Sequence, residues 1–489
     1  MTDEAVHISI HIKVEEKVIE YQNQVRVEEL EETLQAMSQE VGQRVLVGVI
    51  QELDERIAKS LPAGWRNVGT EDRRMISSLG YVLYRRRVYQ DEQSQRRKPV
   101  DELLGLQRYG RMSGRVQEMG SYLACKGTYR QAANQLSWLM KTPISHSSVQ
   151  RMAWTVGNRI ADGEEVEVKR IFESGGEVEG GKAEAPVLYG ESDGVWVHLQ
   201  REKRKSAEVR VAILSTGRKA IGKDRFRLEN KRCITAVGLN SEKWQEQILR
   251  EAHVCYDLEQ TSLVVCGGDG NQWVRKSFDR LQIKQEFLLD RFHLSRAARQ
   301  AIPDRHAAHQ IVTRLRQEGF QSVQAELSEL IQQSDNKAKE KLTEFFQYLY
   351  RNRDGLLDLE QRGISTPAKL GAIEGNVDKL VVHRMKGRGC SWRLPGLRAM
   401  LALCRNAEQL GAHAYSYFPV RTSHKGYHQR PKLTVEYSEV FQGSMPVFLG
   451  PHQFRPWVRS LRHYIYGRNS LFFNSMGICY SNMLYVVAK

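Results

Sequence analysis

Three apolar runs between Val187 and His293, each carrying or ending on an acid, constrain this 489-residue chain more than any other feature. VLYGESDGVWVHLQ (187–200) sets Asp193 among β-branched, aromatic and glycine neighbours. TSLVVCGGDGNQWV (261–274) ends its apolar stretch at Asp269, and QEFLLDRFHLSRA (285–297) ends at Asp290, with His293 three residues on. An ionised carboxylate in an apolar strand is costly unless it is paired or put to use.

The elements between these runs give them an order. SAEVRVAILSTG (206–217) reads as a strand paired with the first run across a basic REKRK turn (201–205), and CITAVGL (233–239) as a third strand. SEKWQEQILREAHVCY (241–256) is an amphipathic helix opened by Ser241, and NQWVRKSFDRL (271–281) is a second helix. Strand, strand, strand, helix, strand, helix, strand is the order of the ribonuclease H-like α/β fold. In that fold the first and fourth strands lie side by side, which would make Asp193 and Asp269 neighbours across a separation of 76 residues.

Charge says what such a core would act on. Residues 1–60 hold 13 acids and 6 Lys or Arg, a balance of −7, so the net +15 leaves +22 on the remainder. A basic body of that size fits a polyanionic partner, most simply DNA. With 41% hydrophobic and 27% charged residues the composition is that of a soluble globular protein. No apolar run approaches the roughly 18 residues a bilayer requires, and MTDEAVHISI lacks the basic start of a signal peptide. Seven scattered cysteines with no CxxC indicate neither a disulfide framework nor a zinc knuckle. The expected setting is the cytoplasm, on the nucleoid, with no membrane partner.

Upstream, residues 14–59 have helical periodicity, and RRMISSLGYVLYRRRVYQDE (73–92) reads as a basic β-hairpin. Its Arg85, Arg86 and Arg87 are either phosphate contacts or guards of an edge strand. Thr128-Tyr-Arg-Gln131 is a capping box opening a helix that buries Ala132, Ala133, Leu136 and Leu139. After a turn through Lys141-Thr142-Pro143, Ser145 caps a second helix with Val149, Met152, Ala153, Val156 and Ile160 on one face. His146, Ser147, Gln150 and Arg151 open its other face. This describes a helix-turn-helix that reads DNA or a plain helical hairpin, without the usual turn glycine. The Gly/Glu-rich ESGGEVEGGKAEA is a linker. The resulting division is an N-terminal helical region (1–60), a small basic β element (61–100), the helix-turn-helix domain (101–172) and the linker (173–185). A core in two parts (186–292 and 365–410) then flanks a helical insertion (293–364), and a C-terminal arm (411–489) follows.

The third acid of the core is sought after the insertion, among Asp358, Glu360, Glu374 and Asp378. Glu374 is the choice because Gly371 and Gly375 leave room beside it for a metal and a phosphate. Asp378, one turn on, is read as an ion-pair or supporting residue. Asp193, Asp269 and Glu374 then supply the convergent carboxylates of two-metal phosphoryl transfer, with Mg²⁺ as cofactor and Mn²⁺ as substitute. Each acid has a bland account: Asp269 is a turn residue, and Glu374 sits in a first helical turn where acids are favoured. Asp290 caps the helix at Arg291, with His293 beneath it as a supporting or structural residue. Arg384, Lys386 and Arg388 in the following MKGRG segment are further DNA contacts, and His306 and His309 are surface residues.

GESDGVWVHLQ, VVCGGDGNQWV, LLDRFHLSRA, IEGNVDKLVVHRMKGRGCSW and GPHQFRPW, with the upstream GYVLYRRRVYQD and GTYRQAA, resemble the ISLre-type bacterial insertion-sequence transposases. The likeness covers nearly the whole chain. It implies a DDE transposase related to Mutator-like enzymes, with Asp193, Asp269 and Glu374 as catalytic triad. Asp290 and His293 resemble the Asp-x-x-His signature of those enzymes. The implied partners are element ends and target DNA, bound by a homodimer or higher oligomer. A domesticated DNA-binding protein and a ribonuclease H-like nuclease or resolvase are the alternative readings.

Overall fold

Helices with one apolar face and a hairpin of alternating apolar and charged residues build the chain ahead of residue 173. The computed structural model describes residues 26–410, apart from 107–109, 177–179, 182, 224 and 367–368. Residues 14–25 of the expected first helix and the arm 411–489 lie outside the described residues. The described chain divides into two compact units, one of 26–120, 132–149 and 408–410, the other of Ser121–Gln131 and Gln150–Ala407.

In the first unit, α1 (Val27–Lys59) precedes a sheet of β1 (Arg66–Ser77), β2 (Gly80–Gln90) and β3 (Arg96–Arg97), and α2 (Pro99–Leu103) follows. Gly80 turns the β1–β2 hairpin at φ 110°. Ile50 and Leu53 of α1 pack on Met75, Val82, Tyr84 and Val100. The two-residue period of β2 puts Arg86 on the inward face with Val82, Tyr84 and Val88. Arg86 is buried and bonded to Asp101, which also accepts from Arg73 Nη1 (2.7 Å) and Tyr84 Oη (2.8 Å). Arg87 pairs with Asp54 at 2.8 Å, and Arg85 alone of the three faces solvent broadly. The reading of Arg86 as a DNA contact is therefore corrected: it is part of a buried ion cluster.

Three helices follow: α3 (Gly114–Lys126), α4 (Tyr129–Met140) and α5 (His146–Phe172). The capping box is present, with Gln131 N donating to Thr128 Oγ1 (3.2 Å) and Thr128 N to Gln131 Oε1 (3.1 Å). Ala132, Ala133 and Leu136 are buried as expected, but Leu139 is exposed and Met140 takes the inward position. Lys141 adopts the left-handed conformation (φ 48°) that a glycine would favour, and Ile144 N bonds Ser137 Oγ at 2.8 Å across the turn. Ser145 Oγ caps α5 through Ser148 N (3.2 Å), and Val149, Met152, Ala153, Val156 and Ile160 are all buried.

The second unit holds β4 (Ala183–Glu184), β5 (Val187–His198), β6 (Ser206–Ser215), β7 (Gly217–Gly222), β8 (Arg225–Glu229) and β9 (Arg232–Val237). After them come α6 (Ser241–Cys255), β10 (Tyr256–Asp257), β11 (Leu263–Gly268), α7 (Gln272–Arg275) and β12 (Gln285–Leu289). Five strands form a mixed sheet in the order β12-β11-β5-β6-β9. β5, β6 and β9 are antiparallel neighbours, whereas β11 runs parallel to β5 and to β12. Trp244, Ile248 and Ala252 of α6 cover one face over Leu188, Leu214, Ile234 and Val264. Asn240, not Ser241, caps α6, through Lys243 N at 2.8 Å. The helix expected over 271–281 is only α7 and a separate 3-10 turn at Asp279–Leu281. The β7–β8 hairpin is an addition that the sequence reading lacked.

α8 (Arg291–Ala301), α9 (Arg305–Gln317), α10 (Gln321–Gln333) and α11 (Asn336–Arg351) make the inserted helical layer around Leu294, Ile311, Leu315, Val323, Leu327, Phe345 and Leu349. The chain returns through α12 (Ile373–Val377), which continues as a π-helix (Asp378–Lys386), and then α13 (Leu394–Leu410). Arg398 of α13 bonds Asp162 (2.8 Å) and Glu165 (2.9 Å) of α5, and Gly157 leaves room for the Ala399 carbonyl. Ala183–Glu184 pairs with Tyr256–Asp257. Residues 173–185 thus do not separate an accessory region from the core, because most of α5 belongs to the same compact unit as the sheet. Among the described residues no helix is long and apolar enough to cross a membrane.

The buried cluster and the exposed arginine beside it separate in a stability measurement. Arg86→Ala, which removes one partner of a buried charged group, is expected to cost about 3 kcal/mol. Arg85→Ala should stay within about 0.5 kcal/mol. Equal effects in denaturant titrations would contradict the assignment.

Candidate metal centre

Asp193 lies in β5, the middle strand of the sheet, and is only 8% exposed. Its Oδ1 accepts from Gly194 N at 2.7 Å. Burial pushes its carboxyl up to about 6, against the pull of the Gly194 amide and of His293, and the nearby Asp269 and Glu374 charges raise it further. Parallel pairing of Gly268 with Ser192 brings Asp269, the next residue of that chain segment, level with Asp193. The Asp269 carboxylate accepts from Asn271 N (2.9 Å) and Asn271 Nδ2 (2.5 Å), the local Asx turn favoured by such a residue.

β12 ends at Asp290, whose amide bonds the Gly268 carbonyl (2.8 Å) and whose carboxylate caps α8 through Phe292 N (3.0 Å). One turn into α8 stands His293, with Nδ1 3.9 Å from Asp290 and Nε2 3.8 Å from Glu374. The Asp290 carboxylate beside it holds its pKa up against burial, and Asp193 and Asp269 add to the effect.

Glu374 is placed from the other side by a residue that the sequence reading passed over. Glu191, two positions before Asp193 on the same strand face, is buried and takes the N–H groups that open α12. Gly371 N donates to it at 2.7 Å, Ala372 N at 2.9 Å and Ile373 N at 3.3 Å. These donors would otherwise be orphans of the helix start. Burial pushes the Glu191 carboxyl up while these three amides pull it down. The two-residue period of β5 was the available signal, since it sets Glu191 and Asp193 on one face.

The result is a cluster in which the ligand atoms of Asp193, His293 and Glu374 all lie within 4.8 Å of one another. Ligands held about 2.1 Å from one ion lie about 3.0 Å apart when adjacent and about 4.2 Å apart when opposite, so the three side chains would have to draw in by up to about 1–2 Å to close on a divalent cation. The two carboxylates suit Mg²⁺ or Mn²⁺, and the imidazole favours a transition metal such as Mn²⁺ over Mg²⁺. His293 Nδ1 faces Asp290 at 3.9 Å, which leaves Nε2, 3.8 Å from Glu374, as the nitrogen turned toward an ion. The residues fit a cation. Of the expected carboxylates, Asp193 and Glu374 converge, and Asp269 stands beside them with its carboxylate on Asn271. Asp378 is exposed and outside the cluster.

The expected DNA contacts divide. His146, Ser147 and Arg151 are exposed at the start of α5, and Gln150 is half-buried. Lys386 is exposed, and the Arg388 side chain lies outside the described residues. Arg384 is corrected: it is buried, donates Nε to the Ala124 carbonyl at 2.6 Å, and lies against the rings of Tyr129 (5.1 Å) and Trp392 (4.8 Å). Such a stacked, desolvated guanidinium holds α3 and α4 to the π-helix. His306 and His309 are exposed, as expected.

Comparison with known families matches residues 20–414 to UPF0236, an uncharacterised protein family, and the chain belongs to it. The search of curated proteins found no match.

Two predictions follow from the two acids of β5. The folded-state value of Asp193, about 6, lies above the unfolded value of about 3.9. Its contribution to stability is therefore present at low pH and lost as pH rises from about 4 to about 6, a swing of roughly 3 kcal/mol. In chelator, Asp193→Asn should melt above the unaltered chain at pH 7.5 and level with it near pH 3.5. No gain at pH 7.5 would contradict the buried charge. Glu191→Gln, which sets an amide against three N–H donors, should lose about 2 kcal/mol in denaturant titration, whereas loss of a solvated acid would change little.

Proposed function

We propose that this member of UPF0236 is a metal-dependent DNA strand-transfer enzyme, a bacterial insertion-sequence transposase of the ISLre type on a ribonuclease H-like core. The observation that carries the reading is the convergence of Asp193, Glu374 and His293 within 4.8 Å, with Asp269 on the adjacent strand. Carboxylates brought together from a central strand, its parallel neighbour and a helix some 180 residues away are hard to explain as packing. The mixed sheet, with three antiparallel strands followed by two parallel ones added on the β5 side, supports the ribonuclease H-like reading.

In this reading Asp193, Glu374 and His293 hold a divalent cation, Mg²⁺ or Mn²⁺, which supplies Lewis-acid stabilisation of charge on the phosphate oxygens. Asp193 from β5 and Glu374 from α12 would each offer it a carboxylate oxygen, and Asp269 would stand beside them as a third acid. Asp290 keeps the His293 ring turned toward the cluster. The α4–turn–α5 hairpin serves as the reader of element ends, with His146, Ser147, Gln150 and Arg151 at the mouth of α5. Arg85 and Lys386 are exposed and suited to phosphate contacts. Binding as a dimer or higher oligomer would bring two ends together.

The test is strand cleavage of DNA carrying the ends of the element, in Mg²⁺ or Mn²⁺. Asp193→Asn, Asp269→Asn and Glu374→Gln should each reduce cleavage roughly 10³-fold or more and keep DNA binding. Asp378→Asn should cleave normally. Full cleavage by the Glu374 variant, or binding that fails along with cleavage in all three, would overturn the assignment.

A further inference from the structure

The hairpin β7–β8 leaves β6 and returns to β9, yet it pairs only with itself, outside the five-stranded sheet. Its base is firmly held. Thr216 N bonds the Glu229 carbonyl at 3.1 Å, Asn230 Nδ2 bonds Thr216 Oγ1 at 3.0 Å, and the buried Tyr256 donates its hydroxyl to the Asn230 carbonyl at 2.6 Å. Beyond that base Lys219, Ile221, Lys223, Arg225, Phe226 and Arg227 are all exposed among the described residues.

The register makes this blade electrostatically unfavourable by itself. Lys219 sits directly opposite Arg227, and Arg225 follows two residues along on the same face. Like charges facing each other across a strand pair are destabilising, and a two-stranded hairpin is marginal to begin with. Among the described residues, Lys219, Lys223, Arg225 and Arg227 form no ion pair. The self-repulsion of this shared cationic face is a cost that solvation alone only screens. A row of phosphates would offset it, and guanidinium groups grip phosphate bidentately.

We infer that the β7–β8 hairpin is a docking surface for the phosphate backbone of duplex DNA, held by Lys219, Arg225 and Arg227. The inference rests on the reading of the chain as a DNA enzyme and adds where the duplex is gripped. Ser215, the end of β6, pairs with Tyr189, four residues before Asp193 on β5. That places the hairpin base about 13 Å along the sheet from the level of the metal centre. The contact therefore falls on DNA flanking the reacting phosphate, and the hairpin contributes affinity without touching the chemistry.

The experiment measures DNA affinity of the full chain by fluorescence anisotropy, with a duplex of arbitrary sequence, between 50 and 200 mM salt. The triple variant Lys219→Ser, Arg225→Ser, Arg227→Ser should bind more weakly than the unaltered chain. Its slope of log affinity against log salt should be shallower by about 2.7, so that the fourfold rise in salt costs it about 40-fold less affinity. A control removing the three exposed lysines Lys337, Lys339 and Lys341 of α11 takes away the same charge elsewhere. A melting temperature unchanged in the control and unchanged or raised in the hairpin variant, with the slope altered only in the hairpin variant, supports the surface. An unchanged slope, or an equal change in the control, overturns the hairpin and leaves the DNA reading standing. Failure of the unaltered chain to bind DNA overturns both.

Discussion

The carboxylate of Glu191 is the tie on which the candidate metal centre depends. It joins the middle strand to the start of α12 across 180 residues of chain, by accepting the amides of Gly371, Ala372 and Ile373. Without it those donors would be unsatisfied and Glu374 would have no fixed position relative to Asp193. The comparison between the two acids is informative. Glu191 and Asp193 share a strand, a face and a buried setting, but Glu191 receives three backbone donors and Asp193 receives one. One charge is satisfied by the fold. The other is left with burial raising its carboxyl to about 6 and with acids beside it.

Much of this was legible from periodicity. The apolar run of β5, the alternation through β6 and the apolar stretch ending at Gly268 announced three strands, and each formed close to its expected bounds. The capping box at Thr128 and the cap at Ser145 were readable because caps are local: a side chain meets an amide three residues away. Glu374 was reachable by elimination among four acids, helped by the glycines beside it. What could not be read was how the cluster closes. His293 enters because α8 begins immediately after β12, so that one helical turn carries its ring toward Glu374. That depends on the sheet order, which no local pattern contains.

The arginines show the opposite failure. Grouped as a basic run, Arg85, Arg86 and Arg87 invite one interpretation, yet strand geometry gives alternate residues opposite surroundings. Arg86 goes inward to Asp101, and its neighbours turn out. Arg384 likewise looked like part of a basic glycine-rich segment, but it is stacked between two rings in the interior. Charge totals survive these corrections, because burying two cations takes little from the +22 carried by residues 61–489. Individual assignments from charge runs do not survive them. The β7–β8 hairpin was missed for a related reason: its residues are too charged to suggest a strand, and its pairing is held from the base by Tyr256 and Asn230 rather than by a buried face.

The helical insertion has a physical role at the centre as well as a place in the topology. Tyr348 of α11 donates its hydroxyl to the Asp269 carbonyl at 3.0 Å, and burial raises the pKa of that phenol so that it remains a donor. Asn352, at the end of the same helix, lies against Gly270, which holds φ 87° and where a Cβ would meet the Asn352 side chain at 2.6 Å. Arg275 reaches from α7 to Asn352 Oδ1 at 3.2 Å and pairs with Asp354. The turn that carries Asp269 is therefore braced from outside the sheet by the inserted helices. Glycine at 270 is required twice over, by its dihedral and by its neighbour. An insertion at this point lengthens the route from β12 to α12, and it uses the added chain to fix the one acid that the sheet alone leaves on a turn.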